Sequence, residues 1–275
     1  MDHRQHSHSR ACSEQPRFGS TAPTAGPTTV PGMRVGVYID GFNLYFGARE
    51  QCGPGTAGWR WLDVRGLVAD TMPSAWRKDG AAIERVVYCT ARVSGIDDPS
   101  TPRDQNVYLR ALRASGSVDH IEFGNFVRRV KSAPLAIRTE KGKPELVRAR
   151  WPVVVQDDVG GEVRDARFLV SVLNWEEKGS DVNVATHLLA DVLRGAVDAA
   201  VVLSNDSDLE LPLRYVRDRV PVGLINPSAN QLAGKLKGRP SDGVGGHWWG
   251  NLEASAYMAH QFPDPLGKLC KPRGW

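Results

Sequence analysis

The feature that most constrains the fold is a regular alternation of strand-like and helix-like segments that begins after Met33. Val35, Val37 and Ile39 alternate with other residues and predict a first strand that ends at Asp40. Further strands are predicted over 83–93, 120–127, 199–204 and 220–226, and helices over 42–49, 63–70, 98–115, 181–194 and 208–218. This order predicts an α/β fold in which helices sandwich a mainly parallel sheet.

The rest of the chain departs from this rhythm in three places. Residues 1–32 are rich in Ser, Thr, Pro, Gly and His and predict a disordered tail. Residues 128–175 hold short apolar runs separated by Gly and charge, which predict β-hairpins inserted into the domain over 33–226. Residues 227–275 are expected to pack on that domain as a C-terminal extension, with a short helix over 251–261.

Composition excludes several classes of protein. No apolar run approaches the roughly 20 residues that a membrane-spanning helix needs, and the first thirty residues lack a secretory-type apolar core. The four cysteines are far apart and form no CxxC pair, which favours reduced thiols over a zinc site or a disulfide framework. We therefore expect a cytoplasmic protein without a membrane partner.

Four aspartates are predicted to meet at one edge of the sheet. In open parallel sheets, ligands bind outside the carboxyl ends of the strands. Asp40 ends the first strand, and Asp206 and Asp208 follow the strand over 199–204. Asp181 lies in the first turn of a helix, on the apolar face that points to the sheet. Because clustered carboxylates repel one another, this arrangement predicts a site for Mg²⁺ or Mn²⁺.

Three sequence blocks around these aspartates carry a family resemblance. They are YIDGFNLY over 38–45, KGSDV over 178–182 and SNDSDL over 204–209. In this order and spacing, the chain resembles the NYN domain, a branch of the PIN-like nucleases. The resemblance implies a PIN-like α/β fold and a divalent-metal ribonuclease, with Asn43 lining the site and the metal held by Asp40, Asp181, Asp206 and Asp208. The chain departs from the family pattern at Asn205, where many members have Gly, and in the long segment before Lys178.

Simpler roles compete with the functional ones. Asp40 before Gly41 is also suited to cap a helix. Residues 128–150 carry eight basic and two acidic side chains, which form either a solubilising hairpin surface or a groove for a nucleic-acid backbone. In the second case, the candidate substrate-binding residues are Arg128, Arg129 and Lys131, with Lys178 nearer the aspartates.

Three functions are consistent with these residues. The first is a metal-dependent endoribonuclease whose partner is RNA. The second is a catalytically idle NYN module that binds RNA or a protein partner. The third is a metal-dependent DNA nuclease or phosphatase that uses the same acids. Contact with the 2′-OH distinguishes RNA from DNA and depends on the geometry of the pocket, so the sequence leaves this choice open. It also leaves open whether the protein forms a homo-oligomer.

Overall fold

The computed structural model describes residues 32–95, 99–141, 143–147, 154–166 and 168–275, without the side chains of Arg138 and Trp175. The predicted disordered tail, apart from residue 32, lies outside these residues. So do the predicted helix start at Asp98 and two of the basic positions, Arg148 and Arg150.

The secondary structure follows the predicted alternation of strands and helices. The first half contains β1 (Arg34–Asp40), α1 (Gly41–Cys52), α2 (Val64–Thr71), α3 (Ser74–Lys78), β2 (Ala82–Ala91), α4 (Ser100–Ala114), β3 (His120–Pro134), β4 (Ala136–Arg138) and β5 (Pro144–Leu146). The second half contains β6 (Leu169–Lys178), α5 (Ser180–Leu193), β7 (Ala199–Leu203), α6 (Glu210–Arg217), β8 (Val222–Asn226), α7 (Gly234–Lys237), β9 (Trp248–Asn251) and α8 (Ala254–Ala259).

One seven-stranded sheet organises the described residues, in the order β6-β3-β2-β1-β7-β8-β9. All neighbouring pairs are parallel except β3 and β6. Strands β7 and β8 are buried along their whole length, which explains why they read as continuous apolar runs. The predicted α/β fold with a mainly parallel central sheet is confirmed.

Helices cover both faces of this sheet. Val35, Val37 and Ile39 of β1 face a core formed with α1, α2, α4 and α8, which also contains the buried Trp59 and Trp61. Tyr38, which points the other way, joins a second core with α5, α6 and α7. The period of two along β1 therefore divides its side chains between two apolar layers.

The segment after β2 contains a long antiparallel ribbon. The first part of β3, His120–Gly124, pairs with β2, whereas residues 125–134 pair with residues 169–178 of β6. We call residues 125–134 and 169–178 the ribbon; at about 3.4 Å per residue it is roughly 30 Å long. It leaves the sheet at the carboxyl edge and returns there at Lys178, directly before α5. A small hairpin, β4 and β5, is inserted between its strands.

The C-terminal segment contributes a strand that the sequence did not predict. Strand β9 pairs with β8 at the edge of the sheet, with Gly223 opposite Trp248. The four residues of β9 are too few to show an alternating pattern, and their extended conformation depends on pairing with β8. The predicted helix over 251–261 is present as the shorter α8. Among the described residues, no helix is both long and apolar enough to cross a membrane.

Candidate metal centre and active-site cleft

An open cleft of about 540 Å³ lies at the carboxyl ends of β1 and β7. Its walls come from α1, the end of β6, the start of α5 and the loops after β7 and β8. Its polar lining is Asp40, Asn43, Glu50, Glu177, Lys178, Asp181, Asn205, Asp206, Ser228 and Asn230. The cleft is therefore rich in carboxylate and amide oxygens.

Asp40 is held at the base of the cleft by the junction between β1 and α1. Its Oδ1 accepts hydrogen bonds from the backbone N–H groups of Phe42, at 3.1 Å, and Asn43, at 3.0 Å. The side chain thus caps α1, as one of the simpler roles suggested, while the residue is only 6% exposed. Burial raises the pKa of Asp40 to about 6, and the charges of Asp206 and Glu177 add to this, against the effect of the two N–H donors.

Ser204 links Asp40 to Asp206. Its Oγ donates to Asp40 Oδ2 at 3.4 Å and accepts the backbone N–H of Asp206 at 3.1 Å. Asp206 in turn caps the short 3-10 turn Ser207–Leu209 by accepting the N–H of Asp208 at 3.0 Å. The ends of two adjacent parallel strands therefore bring Asp40 and Asp206 into the same cleft.

Asp181, Asp206 and Asp208 form a cluster in which one carboxylate oxygen of each residue lies within 4.8 Å of one oxygen of each of the others. Asp181 reaches it from the first turn of α5, which begins after Gly179. Gly179 has φ +96°, a left-handed conformation that side-chain-bearing residues rarely adopt and that turns the chain from β6 into α5. Asp208 is exposed and is not part of the cleft lining, so it lies at the rim.

Asn43 and Asn205 connect α1 to the loops beside the cleft. Asn43 Oδ1 accepts the backbone N–H of Asn205 at 3.0 Å. The Asn205 side chain donates to Ser228 Oγ at 3.3 Å and accepts the backbone N–H of Ala233 at 2.8 Å. A glycine at position 205 would lack these side-chain bonds, so the asparagine fastens the loop after β8 to the cleft.

Glu177 is a cleft residue that sequence reasoning missed. It lies near the end of β6, and its Oε1 accepts hydrogen bonds from the backbone N–H of Ser180, at 3.1 Å, and from Ser180 Oγ, at 2.8 Å. Its charge contributes to the raised pKa of Asp40. The available signal was its position directly before the block that begins at Lys178. Only the pairing of β6 with β3 brings it to the carboxyl edge of the sheet.

The four basic candidates occupy different places. Lys178 lines the cleft and lies 3.0 Å from Glu176 Oε2, while Lys131 forms an ion pair with the other oxygen of the same carboxylate. Arg128 and Arg129 are exposed on the ribbon and do not line the cleft. Strand alternation places Arg129, Lys131 and Lys178 on one face of the ribbon and Arg128 on the other.

A second cavity, of about 510 Å³, adjoins the cleft across the start of α1. Phe42 and Phe46 line both spaces. Phe42 meets Phe126, at the base of the ribbon, edge to face at a centroid distance of 5.5 Å, and Phe46 is 54% exposed. The other aromatic side chains that line this second cavity are Tyr45, Trp59, Tyr88, Tyr108 and Trp275. An aromatic surface thus borders the carboxylates.

The fold and site together define an α/β protein with a carboxylate-rich cleft at the carboxyl edge of its parallel strands. No protein-family model matches the chain. It is 28% identical over 218 residues to 6-hydroxy-3-succinoylpyridine 3-monooxygenase HspA of Pseudomonas putida (strain DSM 28022 / S16). That match covers 72% of this chain and 61% of the relative's length.

A solved structure from Vibrio parahaemolyticus RIMD 2210633, that of the protein of unknown function VPA0982, is also similar. The alignment has a TM-score of 0.41 and 13% sequence identity, and it covers 82% of this chain and 96% of that one.

Proposed function

We propose that this chain is a divalent-metal-dependent nuclease of the NYN/PIN-like type, with a PIN-like domain over 33–226, and that it hydrolyses phosphodiester bonds in RNA. The observation that carries the proposal is the meeting of Asp40, Asp181 and Asp206 in one cleft, with Asp208 at its rim. Three separate parts of the chain supply these residues, and all three belong to the blocks that resemble the NYN domain.

The donor set fits Mg²⁺ or Mn²⁺. Both are hard cations that prefer oxygen ligands, and the cluster of Asp181, Asp206 and Asp208 supplies carboxylate oxygens. The hydrogen bonds that Asp40 accepts come from neutral N–H and O–H groups, which do not balance its negative charge. A buried carboxylate of this kind is stabilised by a nearby cation. When bound, such a cation activates water and stabilises the charge that develops in phosphoryl displacement.

The remaining cleft residues position this machinery. The two N–H donors of α1 and the Ser204 hydroxyl hold the Asp40 carboxylate in one orientation. Glu177 adds a further carboxylate to the cleft wall, fixed by Ser180. Preorganised groups of this kind contribute to catalysis because they need no rearrangement when the reaction occurs.

The surroundings of the cleft favour a single-stranded nucleic acid, and the resemblance to the NYN domain is the reason for proposing RNA. Exposed Phe46 offers a face on which an unpaired base can stack, and Lys178, at the end of β6, supplies a positive charge. The exposed Arg129, on the same face of the ribbon as Lys178, extends the basic surface away from the cleft, while Arg128 is exposed on the other face.

Cleavage assays with matched substrates test the proposal. Labelled single-stranded RNA, hairpin RNA and DNA of the same sequences are incubated with Mn²⁺, Mg²⁺ or EDTA. We expect metal-dependent RNA cleavage by the wild type and by Asp79→Asn, an exposed aspartate outside the cleft. Asp181→Asn should abolish it.

Two outcomes would contradict the nuclease proposal. If Asp181→Asn cleaved RNA as fast as the wild type, the carboxylate cluster would have no role in the reaction. Tight RNA binding without cleavage under any metal condition would instead support the idle binding module. Cleavage of DNA but not RNA would keep the chemistry and overturn the substrate.

A second candidate is oxygenation of an aromatic heterocycle. It is favoured by the 28% identity to a relative named as a monooxygenase of 6-hydroxy-3-succinoylpyridine and by the aromatic cavity beside α1, which suits a flat ring. The test supplies that pyridine, oxygen and a two-electron donor, which reduces the second oxygen atom to water, and follows oxygen uptake and a product that has gained one oxygen atom. Turnover that survives Asp181→Asn would separate this activity from nuclease chemistry.

A further inference from the structure

Two histidines and a glutamate form a second cluster, apart from the carboxylate cleft. His120 and Glu122 lie on β3, and His187 lies on α5. None of the three lines the cleft. In the register of the sheet, Glu122 is opposite Cys89, which is opposite Asp40, so two strand spacings, or about 10 Å, separate the Glu122 and Asp40 backbones.

We infer that His120, Glu122 and His187 form a binding site for a first-row transition-metal ion, with Zn²⁺ as the representative ligand. The inference is independent of the proposed nuclease function, because it uses none of the cleft aspartates.

The spacing of the three donor atoms matches that of metal ligands. Glu122 Oε2 lies 3.0 Å from His120 Nε2 and 3.3 Å from His187 Nε2, and the three residues offer one ligand atom each within 4.8 Å of one another. Ligands at 2.0–2.1 Å from a tetrahedral zinc ion are about 3.3–3.4 Å apart. A small rotation of these side chains would therefore bring all three donors to bonding distance of one ion.

The fold brings these side chains together without relying on a flexible loop. His120 and Glu122 are two residues apart on a strand, so they project from the same face of the sheet. Helix α5 packs on that face through Val184 and Leu188, and His187, which lies between them in the same turn, is half-buried. The exposed fractions of the three side chains are 42%, 39% and 21%, which leaves the cluster open to an ion from solvent.

The chemistry of the donors selects a different metal from that of the cleft. Imidazole nitrogens suit Zn²⁺, Fe²⁺, Co²⁺ and Ni²⁺, whereas all-oxygen sites suit Mg²⁺ and Mn²⁺. Two histidines and one carboxylate also leave coordination positions open to water or another small ligand. Together with the proposed cleft site, the chain would carry two chemically distinct metal sites, two strands apart in the sheet.

Co²⁺ is a suitable probe, because its visible absorption reports the number and kind of ligands. The full chain is used, with His3, His6 and His8 each replaced by Ala, since those residues could also bind metal. We expect one equivalent of Co²⁺ to give the absorption of a nitrogen- and oxygen-ligated ion of low coordination number. Zn²⁺ should displace it, and millimolar Mg²⁺ should not.

Variants in the same background assign the ion to the cluster. Glu122→Gln and His187→Ala should weaken Co²⁺ binding at least tenfold, and His120→Asn should do the same at the most exposed ligand. Asp206→Asn, in the cleft, and His260→Ala, which removes a histidine paired with Asp70, should bind as the background protein does. Thermal melting of the metal-free proteins checks that each variant is folded.

Three results would overturn the inference. The first is the absence of saturable Co²⁺ binding in the background protein. The second is unchanged affinity in the folded Glu122→Gln and His120→Asn variants, which would leave the cluster as a hydrogen-bonded group. The third is a thiolate-to-cobalt charge-transfer band, which would assign the ion to a cysteine.

Discussion

Ser204 Oγ donates a hydrogen bond to Asp40 Oδ2 across 3.4 Å and thereby joins the carboxyl ends of β1 and β7. The bond is between a neutral group and a buried carboxylate, so it orients Asp40 without balancing its charge. The neighbouring carboxylates Asp206 and Glu177 increase that imbalance. Repulsion among these carboxylates therefore destabilises the metal-free protein, and a bound cation would relieve it.

Asp40→Asn should stabilise the metal-free protein at pH 7. The pKa of Asp40 is raised from its ordinary value of 3.8 to about 6, so the folded chain binds more protons than the unfolded chain between these values. Stability therefore falls as pH rises through this window, by roughly 1–3 kcal/mol. Asparagine removes the charge and still caps a helix. Urea unfolding in EDTA between pH 4 and pH 7.5 measures the effect.

Asp40→Ala is the control for this prediction. Alanine also removes the charge but loses the hydrogen bonds to the N–H groups of Phe42 and Asn43, at a typical cost of about 1 kcal/mol. It should gain less stability than Asp40→Asn. If the asparagine variant kept the pH dependence of the wild type, the burial of Asp40 would not be its cause.

Glu177→Gln should lower RNA cleavage by roughly 10- to 100-fold, the range seen when groups that support a metal site are changed. Glutamine retains an oxygen that can accept from Ser180, so the start of α5 should stay in place while a cleft charge is lost. Glu145→Gln, at an exposed glutamate of β5 that does not line the cleft, is a matched control. Equal turnover at saturating RNA in the two variants would exclude a role for Glu177.

Phe46→Ala should weaken binding of single-stranded RNA by the equivalent of about 1–3 kcal/mol per stacked base. The side chain is 54% exposed, so its removal should leave the melting temperature close to that of the wild type. Leu193→Ala, at an exposed apolar position at the far end of α5, is the control. Fluorescence anisotropy with catalytically inactive Asp181→Asn protein measures the affinity. Unchanged affinity would remove Phe46 from the substrate path.

Replacing Arg128, Arg129 and Lys131 together by Ala should reduce the slope of log affinity against log salt by roughly two to three units. Lys131 is already paired with Glu176, so Arg129→Ala alone should reduce the slope more than Lys131→Ala alone. Turnover at saturating RNA should hardly change. An unchanged slope in the triple variant would leave the ribbon as a solubilising surface.

Local patterns account for most of the elements that the sequence predicted. The alternation in β1 and the apolar runs of β7 and β8 reflect burial that follows from the side chains themselves. The ribbon strands β3 and β6 were predicted less well, because most of their ribbon residues are exposed and their short apolar runs show no regular alternation. Their length is set by pairing with each other across the sequence.

The sequence by itself determined the α/β order of the chain and the places of Asp40, Asp181 and Asp206, because strand ends and the first turn of a helix are local features. Only the tertiary structure decided that Glu177 would join them and that Asp208 would lie at the rim. The same holds for His120 and His187, which are far apart in the chain. Their meeting depends on how α5 packs against the sheet, and that contact forms only when the apolar side chains between the helix and the sheet are buried.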